Sequence, residues 1–179
     1  MSHVPGRLDI CIIVAMTPTL VIGKDGKLPW KLTSDLTRFR NRTMGHDVVM
    51  GYNTFGEIIE RRGKPLEGRR NFVVTHRHAD EVRRLGATPV QSALEPAPQT
   101  WAASRELFVL GGKRVFEEAL PYADRMLITM VEANIDGDVY FPLYNHAQWR
   151  LESGHPVSAK HHPDDQYPSR FLEYERIQD

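Results

Sequence analysis

A chain of 179 residues with 23 Lys+Arg and 23 Asp+Glu is long enough to bury a substantial core as one domain over residues 1–179. Its balanced charge leaves no electrostatic footprint for nucleic acid or an anionic membrane. The longest apolar run, Ile10 to Met16, is too short to cross a bilayer. Strand-length apolar runs then recur at 9–15, 47–50, 71–75, 107–110, 125–131, 139–141 and 171–177. Several lack period-two alternation, which predicts strands buried on both faces. Helical patterns fall between them at 34–42, 54–60, 79–85 and 113–120. This alternation predicts a single-domain α/β fold with a predominantly parallel central sheet and about four flanking helices. Beyond Asp138 strands and loops prevail, so antiparallel C-terminal strands should close one edge. The single Cys11 lies in the first apolar run, excludes an internal disulfide and reads as a small buried hydrophobe. The opening Met-Ser-His-Val-Pro-Gly-Arg lacks the charged-then-apolar order of a signal peptide, so a cytoplasmic location is expected.

Residues 21–39 carry the densest chemistry. A glycine-punctuated loop leads through Pro29-Trp30 into a helix with Asp35 in its first turn, and Thr33 and Ser34 both qualify as N-caps. Leu36 and Phe39 share a helical face beside Asp35. Two readings compete: an acid that complements the helix dipole, or a carboxylate set among apolar groups to accept a bidentate pair of donors. Gly51-Tyr52-Asn53-Thr54 repeats the glycine-then-helix pattern with Thr54 as the expected N-cap. Leu110-Gly111-Gly112-Lys113 supplies another, although it is not the G-x-G-x-x-G fingerprint. Two such helix N-termini can hold a pyrophosphate, or can be ordinary turns. In Gly68-Arg69-Arg70-Asn71 an arginine at a strand entrance is either a carboxylate fork or a solvated basic turn. Thr75-His76-Arg77-His78 offers a hydroxyl and cationic groups at the strand's other end. His155, His161, His162, Asp164 and Asp165 suggest a metal site. They lie in a polar connection without cysteine or a helical H-x-x-x-H pair, so no metal is expected.

Taken in order, these pieces resemble bacterial dihydrofolate reductases over roughly residues 8–178. The resemblance is carried by Ile13-Val14-Ala15, Val21-Ile22-Gly23, Leu28-Pro29-Trp30, Asp35-Leu36 with Phe39, Thr43, and Val49-Met50-Gly51 with Thr54. It continues through Pro65-Leu66-Glu67-Gly68-Arg69-Arg70-Asn71, similar to the family's P-L-x-G-R-x-N, then Leu110-Gly111-Gly112, Thr129, Asp136-Gly137-Asp138 and Phe141-Pro142. The resemblance implies NADPH-dependent reduction of 7,8-dihydrofolate to 5,6,7,8-tetrahydrofolate, serving one-carbon metabolism. Hydride goes to C6 and a proton, arriving by water, to N5. Asp35 would hold the 2-amino and N3 edge of the pterin with Thr129 as its hydroxyl support, and Trp30 and Leu28 would complete the catalytic set. Ile13, Val14, Leu36, Phe39, Ile58, Leu66, Leu110 and Phe116 would wall the substrate pocket, and Arg69 would fork onto the α-carboxylate of the glutamate tail. NADPH would lie along Ala15, Ile22, Gly23, Gly51, Asn53, Thr54, Val74, Thr75 and His76, and along Gly111, Gly112, Lys113, Arg114 and Val115. A cis peptide would join Gly111 to Gly112. Antifolates such as trimethoprim or methotrexate would occupy the same pocket, and the protein would be a monomer with no nucleic-acid or membrane partner.

Some positions depart from the family pattern. Leu28 stands where many bacterial members have Met, Lys113 replaces a glycine, and Phe116 replaces a frequent Tyr. Tyr52-Asn53 occupies a place where a basic residue often meets cofactor phosphate, and the stretch between Ile58 and Pro65 carries extra residues. Thr75, His76 and Arg114 are the expected replacement partners for the 2′-phosphate. Two rivals remain: a same-fold reductase of a ribosylated pyrimidine in riboflavin synthesis, and a folate- or nucleotide-binding protein without turnover.

Overall fold

The computed structural model describes residues 8–96, 106–154 and 162–178. In chain order these form β1 (Asp9–Met16), β2 (Val21–Gly23), α1 (Thr33–Thr43), β3 (Asp47–Gly51), α2 (Tyr52–Arg62), β4 (Arg70–Val74), α3 (Ala79–Arg84) and β5 (Thr88–Val90). There follow β6 (Glu106–Val109), α4 (Lys113–Ala119), β7 (Arg125–Val131), β8 (Val139–Tyr140), β9 (Trp149–Gly154) and β10 (Ser169–Arg176). The main sheet has the order β5-β4-β3-β6-β1-β7-β10-β9. Every pairing from β5 across to β7 is parallel, and β10 and β9 close that edge antiparallel. The expected architecture is therefore present.

The non-alternating runs are the central strands. Val48, Val49 and Met50 of β3 are fully buried, as are Leu107 and Val109 of β6, with Phe108 nearly so. Strands covered by helices on both faces have no solvent side on which to place polar residues. Cys11 is buried among them, and burial pushes its thiol up to about 12, so it is an inert packing group.

Three strands escape the sequence pattern. β2 is three residues long, β5 carries Pro89, which only an edge strand tolerates, and β9 is the opposite edge. The 139–141 run does not join the main sheet. Its β8 pairs antiparallel with β2 in a separate two-stranded ribbon. Helix starts also differ from expectation. Leu32 and Gly51 are the N-caps of α1 and α2, and neither provides a side-chain cap. Thr33, Ser34 and Thr54 therefore lie inside the first turns. Asp165 does the capping of α1 across the chain: its Oδ1 accepts the Ser34 N–H at 2.9 Å and its Oδ2 accepts the Ser34 hydroxyl.

The β2–β8 ribbon anchors the loop that enters α1. Asp25 and Gly26 have positive φ, and backbone bonds between Lys24 and Lys27 close the turn. The Asp25 N–H donates to Asp138 Oδ2 at 3.0 Å. A Cβ at Gly137 would stand 2.3 Å from Val21 Cγ1 and 2.7 Å from the Gly23 carbonyl oxygen, so glycine is required there. Among the described residues no helix is long and apolar enough to cross a membrane.

Candidate active site

A cleft of about 1180 Å³ opens at the C-terminal ends of the parallel strands, where α/β sheets receive ligands. β1 contributes Ile13, Val14 and Ala15, β3 contributes Gly51, β7 contributes Thr129, and α1 lays Asp35, Leu36 and Phe39 along one wall. Leu28 and Leu36 are 38% and 51% exposed. Both face this cleft, and apolar exposure concentrated in a concavity marks a binding wall.

Asp35 is the acid in that wall. Thr129, in register with Ala15 on β1, donates its hydroxyl to Asp35 Oδ1 at 2.5 Å. The Arg38 guanidinium stands 3.7 Å from the same oxygen. Burial pushes the Asp35 carboxyl above its ordinary value, with Thr129 and Arg38 opposing and the Asp165 charge reinforcing the rise. Asp35 Oδ2 accepts no hydrogen bond among the described residues. A dipole-capping role would not need this setting, because Asp165 already caps the helix.

Arg69 lies at the far end of the same cleft. Its Nε donates to the Glu67 carbonyl oxygen and one terminal nitrogen to Thr43 Oγ1, both at 3.0 Å. Thr43 is itself tied to the Phe39 carbonyl at 2.8 Å. Two bonds orient the guanidinium and leave its other N–H groups for a ligand. Burial presses its pKa down, as do the charges of Arg62 and Arg40. Arg70 does not line the cleft and donates to both carboxylate oxygens of Asp47, at 2.7 and 2.5 Å. The basic turn thus divides into one cleft-facing and one structural arginine.

At the opposite end of the cleft two helices begin side by side. Gly51 and Gly112 are the N-caps of α2 and α4, without side-chain caps. The Gly51 N–H donates to the Gly111 carbonyl at 2.7 Å. The first-turn N–H groups of both helices have no capping side chain, the electrostatic requirement of an anion. The Gly111-Gly112 peptide is cis, as the resemblance implied. Gly111 has φ +106°, and a Cβ there would lie 2.8 Å from the Phe116 ring. Lys113, Arg114 and His76 line this end, with His76 Nδ1 2.7 Å from Gln91 Oε1.

A sequence model of the family described as dihydrofolate reductase matches residues 9–176. The chain belongs to the dihydrofolate reductase family. It is 36% identical over 170 residues to dihydrofolate reductase of Bacillus subtilis, covering 93% of this chain and 94% of that one. It is 38% identical over 153 residues to dihydrofolate reductase type 3 of Salmonella typhimurium, covering 84% and 90%. In solved structures it is similar to Enterococcus faecalis dihydrofolate reductase complexed with NADP(H) and RAB-propyl. There the TM-score is 0.80 and identity 27%, covering 95% of this chain and 97% of that one.

Of the residues expected to form a dihydrofolate reductase site, Ile58, Leu66, Leu110, Phe116, Ile22, Gly23, Asn53, Thr54, Val74, Gly112 and Val115 also line the cleft. Three expected residues do not. Trp30 lines an adjoining chamber of about 310 Å³ with Leu28, Leu32, Asp35 and Arg61. Gly111 lies beneath the Phe116 ring. Thr75 is buried, and its hydroxyl accepts the His78 N–H at 3.0 Å in the turn that leads into α3. Tyr52, at the position where the family often has a base, donates its phenol to Glu81 at 2.7 Å. It also stacks on His78 with ring centroids 4.0 Å apart. No group of His, Cys, Asp and Glu able to hold a metal occurs among the described residues. Asp165 is the α1 cap and His162 stands 4.0 Å from Asp164, while His155 and His161 lie outside the described residues. Sequence reasoning missed Asp165 as a cap and missed Arg40, Arg61 and Arg62 as cleft-lining cations. The adjacent arginines before Gly63 were the available signal.

Proposed function

We propose that this chain reduces 7,8-dihydrofolate to 5,6,7,8-tetrahydrofolate with NADPH, in support of one-carbon metabolism. The observation that carries the reading is the half-buried Asp35 carboxylate, bonded to Thr129 and walled by Leu28, Leu36 and Phe39. Two adjacent N–H donors of a pterin match its two oxygens, one free and one shared with the Thr129 hydroxyl. A protonated pterin nitrogen is favoured by the nearby carboxylate, so Asp35 acts electrostatically while the proton reaches N5 through water. The apolar wall excludes solvent from the reacting carbon.

The other end of the cleft fits NADPH. The glycine-capped starts of α2 and α4 offer N–H groups to the pyrophosphate, and Arg114, Lys113 and His76 supply positive charge for the 2′-phosphate. The bound nicotinamide supplies the hydride for C6. Arg69 then faces the glutamate α-carboxylate, a group that the ribosylated pyrimidine of the rival reductase lacks. The test follows nicotinamide absorbance with dihydrofolate present and absent. Consumption of NADPH only with dihydrofolate is expected; a flat trace from folded protein at micromolar concentration would leave a binding protein without turnover.

A further inference from the structure

Arg38 follows Asp35 by three residues on α1, so both side chains share one face of the helix. Arg38 Nη1 stands 3.7 Å from Asp35 Oδ1 and is buried without a hydrogen-bond partner among the described residues. The guanidinium carbon lies 4.5 Å from the centroid of the Phe171 ring. Phe171 on β10 is the cross-strand partner of Thr129 on β7. One register therefore delivers both the hydroxyl that bonds Asp35 Oδ1 and the ring that seats Arg38 beside the same oxygen.

A buried cationic nitrogen without a hydrogen bond is costly unless a counter-charge faces it. Asp35 is that counter-charge, and Arg38 has no other ion pair among the described residues. The side chain is 32% exposed as a whole, yet the nitrogen nearest Asp35 is closed off from solvent. The charges that act on the Asp35 carboxyl come from two elements. Arg38 on α1 favours its ionised form, and Asp165, in the segment before β10, opposes it. Lys31 from the entering loop and Arg61 from α2 line the chamber beside it. Without Arg38, burial would drive the carboxyl further toward its neutral form. A neutral carboxylic acid spends one oxygen as a donor and brings no charge to a pterin. Thr129 and Arg38 both approach Oδ1, which leaves Oδ2 for a ligand.

We propose that Arg38 is a positioning residue for dihydrofolate reduction: seated on Phe171 and set against Oδ1, it preserves the negative charge of Asp35 within an apolar wall and leaves Oδ2 to the pterin. The inference rests on the dihydrofolate reading of the cleft. Arg38 acts through Asp35 and not on the substrate.

The experiment follows the carbon-13 carboxyl resonance of Asp35, assigned by its loss in D35N, through a pH titration of the free protein. R38Q removes the charge at similar length and should move the midpoint upward by about one pH unit, the low end for a neighbouring opposite charge because Arg38 is partly exposed. R38K restores the charge and should recover most of the parent midpoint. F171L keeps the arginine but removes its seat, and should give a smaller upward shift. R42Q, one turn further along α1 where Arg42 pairs with Glu173 at 2.9 Å, should titrate like the parent. The ratio of R38Q to parent kcat/KM for dihydrofolate should fall severalfold as pH drops between the two midpoints, and should be level above them. Lost packing alone would lower that ratio equally at every pH. A folded R38Q with the parent midpoint, or with a loss of activity independent of pH, overturns the proposal and leaves dihydrofolate reduction standing. If R38Q does not fold, F171L decides, and an unmoved midpoint there overturns the proposal. A parent that turns over no dihydrofolate, even where R38Q still moves the Asp35 midpoint, removes the dihydrofolate reading and the proposal with it.

Discussion

The N-terminal ends of the parallel strands and the cleft treat charge in opposite ways. At the N-terminal end Asp47 and Arg70 form a bidentate pair, Glu106 and Arg125 meet at 2.5 Å, and His46 stands 3.9 Å from Glu106. In the cleft Asp35 keeps one oxygen without a donor, while Arg40 and Arg61 have no ion pair among the described residues. Cys11, near the paired end, packs as an apolar group. Charges satisfied by the fold's own residues hold strands together, and charges left over need a partner from solution. The contrast locates the site before any ligand is considered.

Breaking the paired end should have the largest effect on stability. Asp47→Ala leaves the Arg70 grip without its buried carboxylate and should cost roughly 2–4 kcal/mol. Denaturant titration reads that loss, and kcat/KM per folded molecule should be unchanged. A comparable fall in kcat/KM would mean that the two regions are not separable.

At the cleft the expected signs reverse. Asp35→Asn preserves shape but removes a charge-assisted contact worth roughly 1.5–3 kcal/mol, or about one to two decades of rate near neutral pH. Partial recovery is expected in acid, where the substrate arrives protonated. The same variant should melt no lower than the parent. The raised Asp35 pKa means that the folded state binds this proton more tightly than the unfolded chain. Stability from this group is therefore full below the ordinary aspartate value and is lost as pH rises through the raised one. Melting curves of parent and variant should diverge over that window, and parallel curves would remove burial as the cause of the shift.

Smaller effects sharpen the division within the cleft. Arg69→Ala should raise KM for dihydrofolate by about tenfold and spare a dihydropterin that lacks the tail, since a lost uniform contact moves KM alone. Equal weakening of both substrates would make Arg69 a structural group like Arg70. Arg114→Ala should lower the preference for NADPH over NADH severalfold, because an exposed cation contributes modestly. An unchanged cofactor ratio would move the 2′-phosphate toward His76.

The interior was legible because its signal is local. Val48-Val49-Met50 and Leu107-Phe108-Val109 can only be doubly covered strands, and Asp35, Arg69 and Gly111-Gly112 sit in short motifs that carry their own chemistry. What escaped depends on distance along the chain or on exposure. β5 and β9 are edges whose residues need not be apolar throughout. Thr75 carried a hydroxyl at the right strand end, but its own backbone turn uses it as an acceptor. Asp165 read only as part of a polar connection because nothing near it in sequence reveals Ser34 as its partner. The N-caps were misplaced for the same reason: a helix closed by a remote carboxylate, or left open beside a glycine, has no local cap to read.

The Asp165 clasp also has a consequence in time. Ser34 and Asp165 are 131 positions apart, so at about 5–20 residues per second a ribosome adds the second on the order of ten seconds after the first. β10, which pairs with Thr129's strand, emerges later still. Throughout that interval the helix bearing Asp35 starts without its carboxylate cap. The cleft's buried acid is among the earliest of its residues to be synthesised, and the cap of its helix among the last.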